Sequence, residues 1–145
     1  MTYCYRADLS DYIDASYPQI AKINSAGELK DYYESNKGIY QFQQGYYSEA
    51  SMADDVFEND GRYGEAFFAQ SLLLFVILQE GSGSIRHRVE PARLENGLLA
   101  VRITRIIPEV GTADMAQWHI VMALDRTFAD MDVAIALAEE PLDAN

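Results

Sequence analysis

The chain has 145 residues, 49% of them hydrophobic, and 23 acidic against 11 basic residues give it a formal net charge of −12. These values predict one soluble globular domain over residues 1–145 and argue against nucleic acid as a partner, because phosphate binding requires a basic surface. The single cysteine, Cys4, excludes an intramolecular disulfide and a cysteine-rich zinc site. The longest apolar run, Leu72–Leu78, is too short to span a bilayer, and no signal-peptide pattern is visible.

All ten tyrosines precede residue 64, which distinguishes an acidic, tyrosine-rich segment over 1–64 from a β-rich core over 65–140. In the first segment, Ser25 and Glu28 have the spacing of a capping box and predict a helix near 25–35. The other elements expected there are a strand at Tyr3–Asp8 and an irregular connection at 40–56.

The β-rich core is dominated by short apolar patterns. Leu72–Leu78 is continuously apolar, as is typical of a strand that is buried on both faces. The other elements predicted in the core are a short helix at Gly64–Gln70 and strands at Ile85–Leu94, Leu98–Ile107, Gln117–Leu124 and Met131–Ala138. Together they predict an α+β fold, an antiparallel β-sheet or sandwich of about five or six strands with one or two short helices.

The middle two strands of the core form a predicted hairpin. Residues 95–97 end in glycine and are interpreted as a three-residue hairpin loop. The apolar alternation then places His87 opposite Arg105 on the inner face of the hairpin. On the other face it places Glu90 opposite Arg102 as a cross-strand ion pair.

Antiparallel pairing brings the entry and the exit of this hairpin to one end. The Gly-Ser loop 80–84 and the loop 108–116 are therefore predicted neighbours, and the strand at 117–124 begins at the same end if it pairs next to 98–107. Because loops on a rigid sheet commonly carry function, we predict that this end binds a partner. The candidate binding residues are Glu80, Ser82, Ser84, His87, Arg105, Glu109, Asp114 and His119.

These candidates also have structural interpretations. His87 on an otherwise apolar face is typical of a partly buried, hydrogen-bonded histidine. Arg105 can simply form an ion pair with Glu109 or Glu80. His119 lies on the strand face opposite the neighbouring tryptophan, which is interpreted as a core residue, and we expect His119 to be exposed.

No catalytic motif is recognisable in the chain. The Gly-Ser loop lacks the pattern of a nucleophile elbow, and two dispersed histidines make a weak metal site, so neither a cofactor nor a structural metal is expected. The rival hypothesis is a small hydrolase or metal-dependent enzyme that uses His87 with Glu80, Glu109 or Asp114.

Three short motifs stand out along the core: EGSGSIRH at 80–87, PEVGT at 108–112 and WHIV at 118–121. With the hairpin between the first two, the stretch 65–125 resembles the C-terminal domain of PrcB-type protease-complex subunits and related uncharacterised clostridial lipoproteins and secreted proteins. The family usually has Thr-Gly-Gly-Tyr where this chain has residues 81–84, and Pro-Tyr near residues 118–119.

The resemblance implies an extracytoplasmic or cell-envelope accessory domain that binds or stabilises another protein, with no catalytic residues to carry over. The sequence is therefore interpreted as a non-enzymatic interaction module whose partner is another protein, with its oligomeric state left open. A competing location for the binding surface is the tyrosine-rich segment, at Tyr46 and Tyr47.

Overall fold

The computed structural model describes residues 2–45, 50–58 and 61–142. In chain order, the elements of the described residues are β1 (Thr2–Arg6), β2 (Gln19–Ile23), α1 (Ala26–Asn36), a π-helical turn (Ala53–Phe57), α2 (Glu65–Gln70), β3 (Ser71–Glu80), β4 (Arg86–Val89), β5 (Arg93–Glu95), β6 (Leu98–Ile107), β7 (Ala116–Asp125), a 3₁₀ turn (Arg126–Phe128) and β8 (Val133–Pro141). The fold class is α+β, as predicted, with more strands than the sequence pattern indicated.

The chain forms two compact units, each with its own sheet. The first unit comprises Met1–Gln79 and Ala116–Ala129, and its sheet has the order β1-β7-β3-β2. The second unit comprises Glu80–Met115 and Asp130–Asn145, and its sheet has the order β4-β6-β5, with β8 also paired to β6. No helix in the described part of the chain is long and apolar enough to cross a membrane.

The local signals of the first unit are confirmed. The Ser25 hydroxyl accepts a hydrogen bond from the Glu28 backbone N–H at 3.0 Å, which satisfies a free donor at the start of α1. β3 lies in the interior of its sheet, and Leu72–Leu78 is buried along its whole length. A strand with neighbours on both sides and cover on both faces needs continuous apolar sequence, which is the pattern observed.

The position of β7 corrects one expectation. The strand predicted at Gln117–Leu124 exists, but it is paired antiparallel with β1 and lies beside β3, while the strands paired to β6 are β4, β5 and β8. It is therefore not the neighbour of the strand predicted at 98–107. Length and polarity do not specify which strand pairs with which, because several pairings bury the same apolar residues.

The hairpin between β4 and β6 has the predicted facing residues but a different loop. Asn96 and Gly97 have φ values of 52° and 78°, the conformation of a two-residue type I′ turn. β5 pairs Leu94 with Leu99, whereas β4 pairs His87 with Arg105. The pairing thus shifts by one residue between the two strands.

A β-bulge accounts for the shift. The Glu90 N–H donates to the Arg102 carbonyl at 3.0 Å, and Arg93 pairs with Ala100, so residues 91–92 lie opposite Val101 alone. Proline at position 91 has no N–H to donate to a ladder, which suits a bulge. A two-residue loop without a bulge would turn Val89 to the wrong face of the sheet, and the bulge restores the predicted face.

β8 corrects the expectation of a purely antiparallel sheet. It pairs parallel to β6, from Leu99 with Val133 to Ile107 with Pro141. Between these strands the chain passes through residues 108–132, which include β7, and such a crossover is what a parallel connection requires. β6 is therefore a central strand with an antiparallel neighbour on one side and a parallel one on the other.

Candidate functional site

The side chain of Glu80 is the centre of the polar cluster in the second unit. It terminates β3 and is only 2% exposed. His87 Nε2 lies 2.7 Å from Glu80 Oε2, and Arg105 donates to the same carboxylate from Nε and Nη2, at 2.6 Å for the shortest contact. The facing pair His87 and Arg105 is thus confirmed, and of the two carboxylates proposed for Arg105, Glu80 is the one it binds.

The Glu80 carboxyl and the Arg105 guanidinium stabilise each other's charged forms. Burial alone would raise the pKa of Glu80, but hydrogen bonds from His87 and Arg105 and the guanidinium charge outweigh it, so the pKa lies below its usual value. The hydrogen bond to Glu80 raises the pKa of Arg105, which also contacts Glu139 through Nη1. A carboxylate that is ionised and held by several donors is an acceptor and an anchor, not a proton reservoir near neutral pH.

The two loops predicted as neighbours are joined by hydrogen bonds. The Thr112 N–H donates to the Ser82 hydroxyl at 2.9 Å and to the Ser84 hydroxyl at 3.3 Å. The Gly83 N–H donates to Asp114 Oδ1 at 3.1 Å. Ser82, Ser84 and Asp114 therefore hold the loops in place, and they are not simply exposed contact groups.

The outer surface of this loop end is formed by other residues. Val110 is 85% exposed. Next to it along the chain, Pro108 and Glu109 line a groove of about 550 Å³. The remaining residues that line the groove are Ile107, Glu139, Glu140, Pro141 and Leu142. Sequence reasoning selected Glu109 but missed Val110, although an apolar residue between Glu and Gly in a loop is itself a signal.

His119 belongs to the first unit, and the expectation that it is exposed was wrong. Its exposed fraction is 0%, because β7 lies inside its sheet and both faces are covered. Nε2 lies 2.7 Å from the Tyr32 hydroxyl, and the rings of Tyr40 and Phe42 pack edge-on at 4.9 and 5.3 Å between centroids. Burial lowers the pKa of His119 to about 3, so the ring is neutral at physiological pH.

Glu90 lies across from Arg102 as predicted, and its N–H donates to the Arg102 carbonyl at 3.0 Å, but the ion pair of Arg102 forms with a different acid. Arg102 forms two hydrogen bonds to the Glu95 carboxylate, at 2.6 and 2.7 Å. The type I′ turn ends β5 at Glu95 and brings that residue opposite Leu98, close to Arg102 on the next strand. Both side chains are exposed, so the pair contributes little to stability.

Among residues 2–45, 50–58 and 61–142, no cluster of three or more His, Cys, Asp or Glu side chains could hold a metal ion. Burial raises the pKa of Cys4 to about 11, which keeps the thiol protonated. The alternative surface at Tyr46 and Tyr47 lies outside the described residues.

Comparison with protein-family models, with curated protein sequences and with solved structures finds no match to this chain. The resemblance to PrcB-type domains stays a prediction that depends on the motifs at 80–87, 108–112 and 118–121.

Proposed function

We propose that this protein is a non-enzymatic interaction module that binds another protein through the loop end of its second unit. We define the loop surface as Pro108, Glu109, Val110 and Leu142. The observation that carries the proposal is the exposure of Val110, 85%, on a loop that internal hydrogen bonds hold in place. When a partner buries an apolar side chain that contributes nothing to the core, the complex is stabilised by on the order of 1.5 kcal/mol.

The polar cluster supports this role as a scaffold. Within the second unit, Glu80 bonds to His87 on β4 and to Arg105 on β6, next to the hydrogen-bonded loops. Binding residues on a loop need a rigid base, because ordering a mobile loop costs free energy at the moment of association. His87 and Arg105 are therefore positioning residues in this proposal.

The same geometry weighs against the enzyme hypothesis. A general base must reach a substrate, but the His87 side chain has an exposed fraction of 0% and lies on the Glu80 carboxylate. Glu80 is in turn held by Arg105. The resemblance to PrcB-type domains supports a protein as the partner and an extracytoplasmic location.

A site-specific crosslinking experiment tests the loop surface. A photo-crosslinking amino acid is placed at Val110, and at Tyr12 in the first unit, which is 73% exposed, as the matched control. We expect a discrete protein adduct at position 110 that is absent at position 12. Val110→Asp should then weaken binding of the purified partner about tenfold or more, with stability unchanged within about 0.5 kcal/mol. Identical adducts at both positions, or full affinity in the variant, would contradict the proposal.

A further inference from the structure

β8 occupies the edge of the second sheet. One side of the strand pairs with β6 over its full length, from Val133 to Pro141, and within the described residues no strand pairs with its other side. Residues 136–139 are exposed. A long strand with an open edge presents a row of backbone donors and acceptors to another chain.

The hydrogen bonds at the two ends of β8 identify the groups that form this row. The Asp132 carbonyl accepts from the Leu99 N–H, and the Leu142 N–H donates to the Ile107 carbonyl, both at 2.9 Å. Even-numbered residues therefore direct their backbone groups toward β6. Because successive residues of a strand alternate, the N–H and C=O groups of residues 133, 135, 137 and 139 point to the open edge.

The side chains of β8 suit an additional strand. The sequence over 133–138 is Val-Ala-Ile-Ala-Leu-Ala, with small alanines on one face and larger apolar residues on the other. Leu137 pairs with Ile103, which is buried, yet Leu137 is itself 46% exposed. A strand added at the open edge would extend the apolar face and cover this side chain.

The charges beside β8 identify the chemistry of the occupant. Asp130 and Asp132, both exposed, precede the apolar run, whereas the two glutamates that follow it are already paired, Glu139 with Arg105 and Glu140 with Arg88. A second copy of the chain is disfavoured as the occupant because both copies would carry the net charge of −12. The two aspartates instead favour an occupant with a basic residue.

We propose that the open edge of β8 binds an extended segment of a partner protein by strand addition, with a Lys or Arg of that segment beside Asp130 and Asp132. The proposal deepens the proposed function, on which it rests in taking a protein as the partner. Main-chain hydrogen bonds supply the affinity in this mode, and the alternate side chains and the charged end supply the specificity.

The probe is a synthetic peptide of about ten residues, alternating threonine and valine with a lysine at each end. The control peptide carries glutamate at both ends. We expect the lysine peptide to bind at least about tenfold more tightly, with an affinity that falls as salt is added. In the complex, backbone amide exchange at residues 133, 135, 137 and 139 should slow, whereas the amides of 134, 136 and 138, already bonded to β6, should change little.

Leu137→Pro and Leu137→Ala form a matched pair. Both remove the leucine side chain, but only proline removes the N–H that faces the open edge, and neither alters an N–H of the β6 ladder. We expect the proline variant to bind the lysine peptide at least about tenfold more weakly than the alanine variant.

No binding of the lysine peptide, exchange protection located away from β8, or equal affinities for the two variants would overturn the proposal. The amide exchange of the unmodified chain decides the matter even if the proline variant folds poorly. An adduct at Val110 without peptide binding would leave the proposed function standing and reject strand addition.

Discussion

His87 and Arg105 face each other on β4 and β6, and both donate hydrogen bonds to one carboxylate, that of Glu80. The acid, the histidine and the arginine come from three separate segments of the chain, all within the second unit. The arrangement replaces the direct His–Arg contact that facing positions alone would indicate. Arg105 can only donate hydrogen bonds and His87 directs Nε2 at the carboxylate, so the acid supplies the acceptor for both.

Removing Glu80 should destabilise the protein strongly. Glu80→Ala leaves Arg105 and the shielded His87 without their shared acceptor, and breaking a buried ion pair from one side costs about 3 kcal/mol. Glu80→Gln retains an acceptor oxygen and should lose about half as much. Urea unfolding of the three proteins measures the difference. An unchanged midpoint in the alanine variant would show that the cluster does not contribute to stability.

Acid should destabilise the protein through His119. The folded pKa, about 3, lies below the ordinary value of 6.5, so the unfolded chain takes up the proton first. The contribution is fully present above about pH 6.5 and is lost progressively as the pH falls toward 3. Between pH 7 and pH 5 the loss amounts to about 2 kcal/mol.

His119→Gln tests this pH dependence, because glutamine does not titrate and can still hydrogen-bond to Tyr32. We expect the free energy of unfolding of the variant to vary less between pH 7 and pH 5 than that of the parent chain. The lowered pKa of Glu80 acts in a different window, below its ordinary value of 4.5, and does not interfere. Parallel pH profiles for the two proteins would reject the role of His119.

Local signals predicted the elements that strong short-range chemistry specifies. The capping box of Ser25 and Glu28 located α1, and the continuous apolar run placed β3 inside a sheet. β2 was missed, since Gln19–Ile23 is an edge strand of five residues, two of them polar, and is exposed at its start. A strand that buries only part of its surface needs few hydrophobic residues, so its apolar alternation is weak.

Pairing between distant strands was the part that sequence could not specify. His119 was predicted to be exposed because the apolar alternation indicates a strand with one buried face and one exposed face. In the structure both faces of β7 are buried. The contact between Arg105 and Glu139 depends on the parallel register of β8, which no local pattern encodes. The facing pair His87 and Arg105 was predicted because hairpin register follows from nearby residues, even though the turn and the bulge were missed.

The type I′ turn predicts a measurable difference between two glycines. An added Cβ meets no atom within 4 Å at either Gly97 or Gly38, but only Gly97 has a positive φ, 78°. Gly97→Ala should therefore cost about 1 kcal/mol through backbone strain alone. Gly38→Ala is the matched control and should be neutral or slightly stabilising. Equal unfolding free energies for both variants would exclude the proposed turn conformation.

The hydrogen bond from the Gly83 N–H to Asp114 provides the most direct test of the loop arrangement. Asp114→Ala removes the acceptor, so the Gly83 amide should exchange with solvent about tenfold faster, which corresponds to about 1.4 kcal/mol of local opening. Asp114→Asn keeps an acceptor oxygen and should retain most of the protection. Amide exchange at Gly83 and Thr112 reports on both loops in one experiment.

Because Asp114 holds the loop and does not touch the partner in this proposal, the alanine variant should weaken partner binding by less than Val110→Asp does. A larger loss of affinity at Asp114, with Gly83 exchange unchanged, would instead make Asp114 a contact residue.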